Sequence, residues 1–232
     1  MGVAATVAFS LACAGGATAA RRADASGDGP GPRPARELRP GCYDWPGREF
    51  SQDNHARVRT FVKPGDRAID FRLQGADGRE HRLADALKDG PVLLLQGSAT
   101  CPVFRERLPA LTEIAERYAP KLTTLLVYNI EAHPLGDPGP YKGRLALQSA
   151  SDRPQSRSFE DRVQGLADLA LSSAIVPLVD GLDRGEENPI WCTYGTCPAC
   201  AFVIRPNGVL EAVHTWADPA TLDTTIAGLL GR

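Results

Sequence analysis

The sequence predicts an α/β fold in which a central mixed β-sheet is flanked by helices. Three observations carry this reading. Val92-Leu93-Leu94-Leu95 is an uninterrupted apolar run, and Leu122 to Ile130 reads as a second strand of the same buried kind. Between them Phe104, Leu108, Leu111, Ile114, Ala115 and Tyr118 recur at helical spacing. Near the end of the chain, Phe202 to Ile204 and Val209 to Val213 flank Pro206-Asn207-Gly208, the signature of a hairpin.

The elements follow in order. Residues 61–232 read as the folded domain, opening near Val62 with a turn at Pro64-Gly65-Asp66. Ala68 to Leu73 reads as a strand, Ala76-Asp77-Gly78 as a turn, and His81 to Leu87 as a short helical piece. Pro102 suits the first turn of the next helix, where its missing N–H is no loss, and Pro120 ends that helix. Glu131 to Pro154 is a long polar loop. A helix over Phe159 to Leu171 has Ser158 as its cap. Ile175 to Val179 is a short strand, and Pro219 to Leu230 is a last helix with Gly231 behind it. Strand–helix–strand, then helix, hairpin and helix is the order of a thioredoxin-like fold.

Composition excludes some functions. The formal net charge is -2, so the basic footprint needed for nucleic acid is missing. The first 20 residues lack charge between Gly2 and Ala20, and Ala17-Thr18-Ala19 fits a secretory cleavage site. They predict export or anchoring at the membrane, with an otherwise soluble protein behind them. Residues 21–60 form a Pro/Gly/Arg-rich linker ending in a small docking cluster, Cys42-Tyr43-Asp44-Trp45-Pro46.

Six cysteines are too few for a disulfide-stapled scaffold in 232 residues. Cys101 lies between a buried strand and a helix. That junction aims unpaired backbone N–H groups and the positive end of the helix dipole at the sulfur, which favours the thiolate. Ser98 and Thr100 flank it as hydrogen-bond donors. Residue 104 is Phe, so Cys-x-x-Cys is absent at this position and an ordinary dithiol oxidoreductase is disfavoured. Cys192, Cys197 and Cys200 have three readings: resolving partners of Cys101, a structural 197–200 disulfide, or metal ligands. A redox role is favoured, Cys200 ahead of Cys197, and no metal is expected because no nearby histidine completes a ligand set.

Four segments carry a resemblance. They are Gly97-Ser98-Ala99-Thr100-Cys101-Pro102, Tyr128-Asn129-Ile130-Glu131-Ala132-His133-Pro134, Pro154-Gln155-Ser156-Arg157-Ser158-Phe159-Glu160-Asp161-Arg162, and Tyr194-Gly195. In order and spacing they resemble the iodothyronine deiodinases, with cysteine where that family has selenocysteine. The family histidine in the third segment is Ser156 here. The family Glu-Arg pair that clamps the hormone carboxylate aligns with Ala199-Cys200, and the family's resolving cysteine aligns near Ser172 or Ser173. The reacting centre is retained and the substrate clamp is not.

The resemblance implies reductive removal of iodine from an aromatic, thyroxine-like substrate by the Cys101 thiolate. Glu131 and His133 would pass a proton or hold a phenol, with Ser98 and Thr100 extending the relay and Tyr128 and Phe104 near the substrate. No bound cofactor is implied, only an external thiol reductant such as thioredoxin or glutathione. A homodimer is allowed for. Two alternatives stand beside this: a peroxiredoxin-like thiol peroxidase acting on a peroxide, and a non-enzymatic redox-sensing module. Ser98 fits the peroxidase pattern three residues before the cysteine, whereas Leu94 occupies the position where that pattern has proline.

Overall fold

The computed structural model describes residues 58–136, 139–141, 152–181 and 190–231. The expected leader, the docking cluster and the linker up to residue 57 lie outside these residues, whereas Arg59–Thr60, expected as the end of the linker, form a strand paired with Gly195–Thr196. Among the described residues, no helix is long and apolar enough to cross a membrane.

The elements are β1 (Arg59–Thr60), β2 (Arg72–Gly75), β3 (Glu80–Arg82), α1 (Leu83–Asp89), β4 (Val92–Gly97), α2 (Pro102–Tyr118) and β5 (Thr123–Tyr128). They continue with α3 (Phe159–Ala167), β6 (Ile175–Val179), β7 (Gly195–Thr196), β8 (Ala199–Ile204), β9 (Leu210–His214) and α4 (Pro219–Leu229). A 7-stranded mixed sheet runs β3-β2-β6-β5-β4-β8-β9, and β1 pairs with β7 in a separate 2-stranded ribbon. β5 pairs in parallel with β4 and β6, while β8 lies antiparallel to β4. This is the thioredoxin-like arrangement expected from the element order.

Period-2 alternation sends each central strand's side chains to two cores. Leu93 and Leu95 of β4, Tyr128 of β5 and Ala199, Ala201 and Val203 of β8 face α2, α3 and α4. Leu94, Val127, Cys200, Phe202 and Ile204 face the other side, with Phe71, Leu83 and Tyr194. β4 is buried at every position, which is why its sequence is apolar without alternation.

Several boundaries differ from the expectation: β8 starts at Ala199, ahead of Phe202, and β5 is Thr123–Tyr128, shorter than Leu122 to Ile130. Residues 68–71 are not strand, because their polar groups are engaged elsewhere. The Ala68 N–H donates to Gly208 O at 2.8 Å, and the Asp70 carboxylate accepts from Ala84 N at 3.0 Å. His81 and Arg82 belong to β3, so α1 starts at Leu83. α3 ends at Ala167 rather than Leu171, and Ala170 takes a left-handed backbone (φ 48) that breaks the helix. Its start is as expected: the Ser158 hydroxyl accepts from Asp161 N and the Asp161 side chain returns the bond, a complete capping box.

Candidate active site

Cys101 is the N-cap of α2, separated from the end of β4 by Ser98, Ala99 and Thr100, and Pro102 follows in the first turn. The Phe104 N–H donates to its sulfur at 3.4 Å. The expected helix N-terminus is therefore aimed at the sulfur. It does not win. Cys101 is only 1% exposed, and burial pushes the thiol up to about 11. The N–H groups of Phe104 and Val103 and the charge of Arg107 pull the other way, while Glu131 adds to the upward shift. The expectation of a stabilised thiolate is thus corrected: desolvation outweighs the dipole.

A measurable consequence follows. Folding favours the neutral thiol, so this contribution to stability is complete below the ordinary thiol range and is lost as pH rises through about 11. Alkylation of native Cys101 by iodoacetamide should keep accelerating up to that pH. A rate plateau at or below pH ~8.5, the free-cysteine value, would contradict the burial account.

Glu131 is the hub of the site and is fully buried. Its Oε2 accepts from Thr100 N at 3.1 Å and from the Thr100 hydroxyl at 2.8 Å. Its Oε1 accepts a short hydrogen bond from the Tyr128 hydroxyl and a longer one, 3.5 Å, from Ser156. Tyr128 OH in turn accepts from Ala99 N at 3.1 Å. Burial holds Glu131 above the usual carboxylate range, against the hydrogen bonds from Tyr128 and Thr100 and the charge of Arg153. Burial, reinforced by Glu131, also raises Tyr128.

Ser98 and Thr100 hold the following loop. Ser98 Oγ accepts from Ala132 N at 3.3 Å, and Thr100 Oγ1 accepts from His133 N at 3.1 Å. They join Glu131 and His133 to the residues flanking the nucleophile. Burial holds His133 below its ordinary range, so its imidazole is neutral near pH 7. Its Nδ1 is buried without a hydrogen-bond partner, and its ring lies 6.2 Å from that of Tyr141.

The structure brings Ser98, Thr100, Cys101, Tyr128, Glu131 and His133 together. It does not bring Cys197 or Cys200 to the sulfur, and Phe104 meets it through the backbone N–H, not the ring. The Phe104 ring packs against Gly97 in the core and is 0% exposed, so it offers a substrate no open surface. Cys197 and Cys200 are bonded to each other, with Cα atoms 5.7 Å apart. Cys200 pairs with Gln96 across the β4–β8 register and points into the core on the opposite side of the sheet from Cys101. The expected approach of Cys200 or Cys197 to Cys101 is therefore not found. Pleat alternation is the reason, since one position along β8 changes the face. Cys192 is also disulfide-bonded. Cys101 is the free cysteine among the described residues. None of these residues forms a cluster of three or more His, Cys, Asp and Glu suited to a metal ion.

Sequence reasoning missed several residues around the site. The Gln155 side chain accepts from Glu131 N at 2.8 Å and donates to Glu131 O at 3.1 Å, gripping the backbone of the hub. Tyr141 packs on the cluster around Cys101, and its hydroxyl is buried without a partner. Trp191 stacks edge-on against Tyr141 at 6.2 Å. The turn carrying Trp191 is held by Asp180, whose carboxylate accepts from Trp191 N at 2.9 Å and Ile190 N at 3.3 Å. Burial raises Asp180 to about 6. Buried Arg162 donates to Asp180 O at 2.7 Å and Gly181 O at 3.1 Å.

Gly165 had a readable signal. Glycine inside a helix costs about 1 kcal/mol relative to alanine and implies a packing reason. That reason is Tyr128: a Cβ at Gly165 would overlap its hydroxyl. Gly165→Ala is expected to push the hydroxyl off Glu131, lowering stability by about 1–3 kcal/mol together with turnover. Thermal denaturation checks the first effect and an activity assay the second. An unchanged variant would mean that Tyr128 is not held there.

Comparisons with known proteins bear on the fold and the family. Solved thioredoxin-like structures superimpose on the chain. A putative protein disulfide isomerase from Bacteroides thetaiotaomicron matches with a TM-score of 0.53 and 15% identity, covering 75% of this chain and 93% of the other. A putative thiol:disulfide interchange protein from Chlorobium tepidum matches with a TM-score of 0.50 and 20% identity, covering 73% of this chain and 99% of the other. A thyroxine 5-deiodinase of Sparus aurata is 31% identical over 137 residues, 57% of this chain and 46% of the relative. A type II iodothyronine deiodinase of Rattus norvegicus is 43% identical over 60 residues, 25% of this chain and 23% of the relative. The matched stretches thus span less than half the length of these relatives. The iodothyronine deiodinase family model matches residues 50–211, well over half of the chain and every residue of the hub around Glu131, and the chain belongs to that family.

Proposed function

We propose that this protein is a thiol-dependent oxidoreductase that removes iodine reductively from an iodinated, thyroxine-like aromatic. The observation that carries the reading is the wiring of Glu131 through both donors of Thr100 to the residue before Cys101. Reductive dehalogenation needs a soft nucleophile for the halogen and a proton for the ring carbon. Here Glu131 is hydrogen-bonded to Thr100, the neighbour of Cys101 in the chain.

The Cys101 thiolate attacks iodine, and the carbon–iodine bond breaks with its electron pair left on the ring carbon. That carbon takes a proton, delivered through Glu131 and its partners Tyr128, Thr100 and His133. The sulfur is left as a sulfenyl iodide. A second thiol displaces iodide, forming a disulfide with Cys101 and releasing a proton, and a further thiol reduces that disulfide. Cys197 and Cys200 are bonded to each other on the other side of the sheet, which supports an external thiol, such as thioredoxin or glutathione, as the resolving partner. Because the carboxylate clamp of the family aligns with Ala199-Cys200, an iodinated phenol is the minimal substrate.

The test is iodide release from an iodinated phenol measured beside peroxide consumption, both with dithiothreitol. Faster iodide release supports the proposal. Peroxide consumption alone assigns the site to a thiol peroxidase, and neither activity leaves a redox-sensing module.

A further inference from the structure

A fully buried carboxylate needs a counter-charge as well as hydrogen bonds. Glu131 has the hydrogen bonds from Thr100 N, Thr100 Oγ1, Tyr128 OH and Ser156 Oγ. Each is neutral. Among the described residues, two cations act on it. Arg162 of α3 acts on Glu131 only at range, since its guanidinium donates to the carbonyls of Asp180 and Gly181. Arg153 is close: its Nε lies 3.8 Å from Glu131 Oε1, and its side chain is 17% exposed.

Arg153 is held in place rather than free. Its carbonyl accepts from Leu135 N at 2.8 Å, tying it to the turn after His133. Its Nη2 donates to Asp161 O at 3.3 Å at the start of α3. The same Nε lies 3.4 Å from Asp168 Oδ2, a half-exposed carboxylate at the end of α3. Nε is buried and makes no hydrogen bond to either acid. It sits between two carboxylates and satisfies neither fully.

We propose that Arg153 is the positioning residue for Glu131, a counter-charge shared with Asp168, so that the pair Arg153–Asp168 sets how strongly Glu131 holds its proton. This rests on the reading in which Glu131 relays a proton, but its first test does not. Besides these two, the ionisable groups facing Glu131 among the described residues are Tyr128 of β5, Cys101 at the head of α2 and Arg162 of α3. Of these, Tyr128 also feels the Arg153 charge, which lowers it, so the variants are read on the Glu131 carboxyl itself.

The two partners predict opposite shifts. Removing Arg153 withdraws positive charge from Glu131 and makes its proton harder to lose. Removing the Asp168 charge leaves Arg153 to Glu131 alone and makes the proton easier to lose. The experiment follows the Glu131 carboxyl band by infrared difference spectroscopy against Glu131→Gln, across pH, without substrate. Arg153→Met should raise the midpoint by about one pH unit, a tenfold change in proton affinity. Asp168→Asn should lower it, and Arg153→Lys, which keeps the charge but not the fork, should fall between Arg153→Met and wild type. If Arg153→Met does not fold, Asp168→Asn and Arg153→Lys still decide the sign. An unmoved midpoint, or a shift in the same direction for Arg153→Met and Asp168→Asn, overturns the proposal. The pH profile of iodide release should move with the midpoint. A profile that stays while the midpoint moves supports Arg153 as the counter-charge and overturns the relay role of Glu131 instead.

Discussion

Replacing Cys101 with serine abolishes thiol-dependent iodide release, with no more than a trace of turnover left. Serine keeps the N-cap, because its hydroxyl accepts from Phe104 N as the sulfur does. The fold should therefore survive, and the thermal midpoint is the control. What is lost is a nucleophile. A hydroxyl is far less acidic than a thiol and is hard where iodine is soft. No other free thiol among the described residues can substitute, because Cys192, Cys197 and Cys200 are all in disulfides. Selenocysteine at the same position should act in the opposite sense and accelerate the reaction, since a selenol is more acidic and softer. Substantial turnover in the folded serine variant would remove Cys101 from the mechanism.

Glu131→Gln should lower turnover by about 10²–10⁴-fold, the range for loss of a positioned proton-transfer group. The fold should be much less affected. Glutamine keeps an oxygen for one set of donors, Thr100 or Tyr128 with Ser156, and relieves the burial of a charge. The sign of the pH effect follows from burial. Glu131 is held above the usual carboxylate range, so folding favours its protonated form. That contribution is full below the ordinary carboxylate range and is lost as pH rises through the folded value. Glu131→Gln should therefore remove part of the decline in stability on the alkaline side of that range. The comparison is turnover and thermal midpoint for wild type and variant across pH. A variant that unfolds would make Glu131 a structural group, and one that keeps full turnover would take it out of the relay.

The sequence alone determined the elements whose physics is local. β4 is legible because a strand buried on both faces must be apolar at each position, and α2 because its core side chains recur every three to four residues. The capping box at Ser158 and Asp161 and the cysteine at the head of α2 are equally local. From these the α/β order and the candidate nucleophile could be read, while the Glu131–His133 segment stood out only through the family resemblance. β1 and β7 could not, since two residues each carry no period.

Tertiary structure alone decided the rest, because it depends on register and on contacts distant in sequence. One step of β8 sends Cys200 away from Cys101, and the cysteine cluster's spacing contains no information about that step. The acidity expected at the helix N-terminus was reversed by burial, which comes from the sheet, α4 and Tyr141 together. Arg153 reads as one more charge in a polar loop until folding sets it between Glu131 and Asp168. Local pattern reports which residues can do chemistry, and the low-dielectric surroundings that set how strongly each holds its proton exist only once the chain has packed.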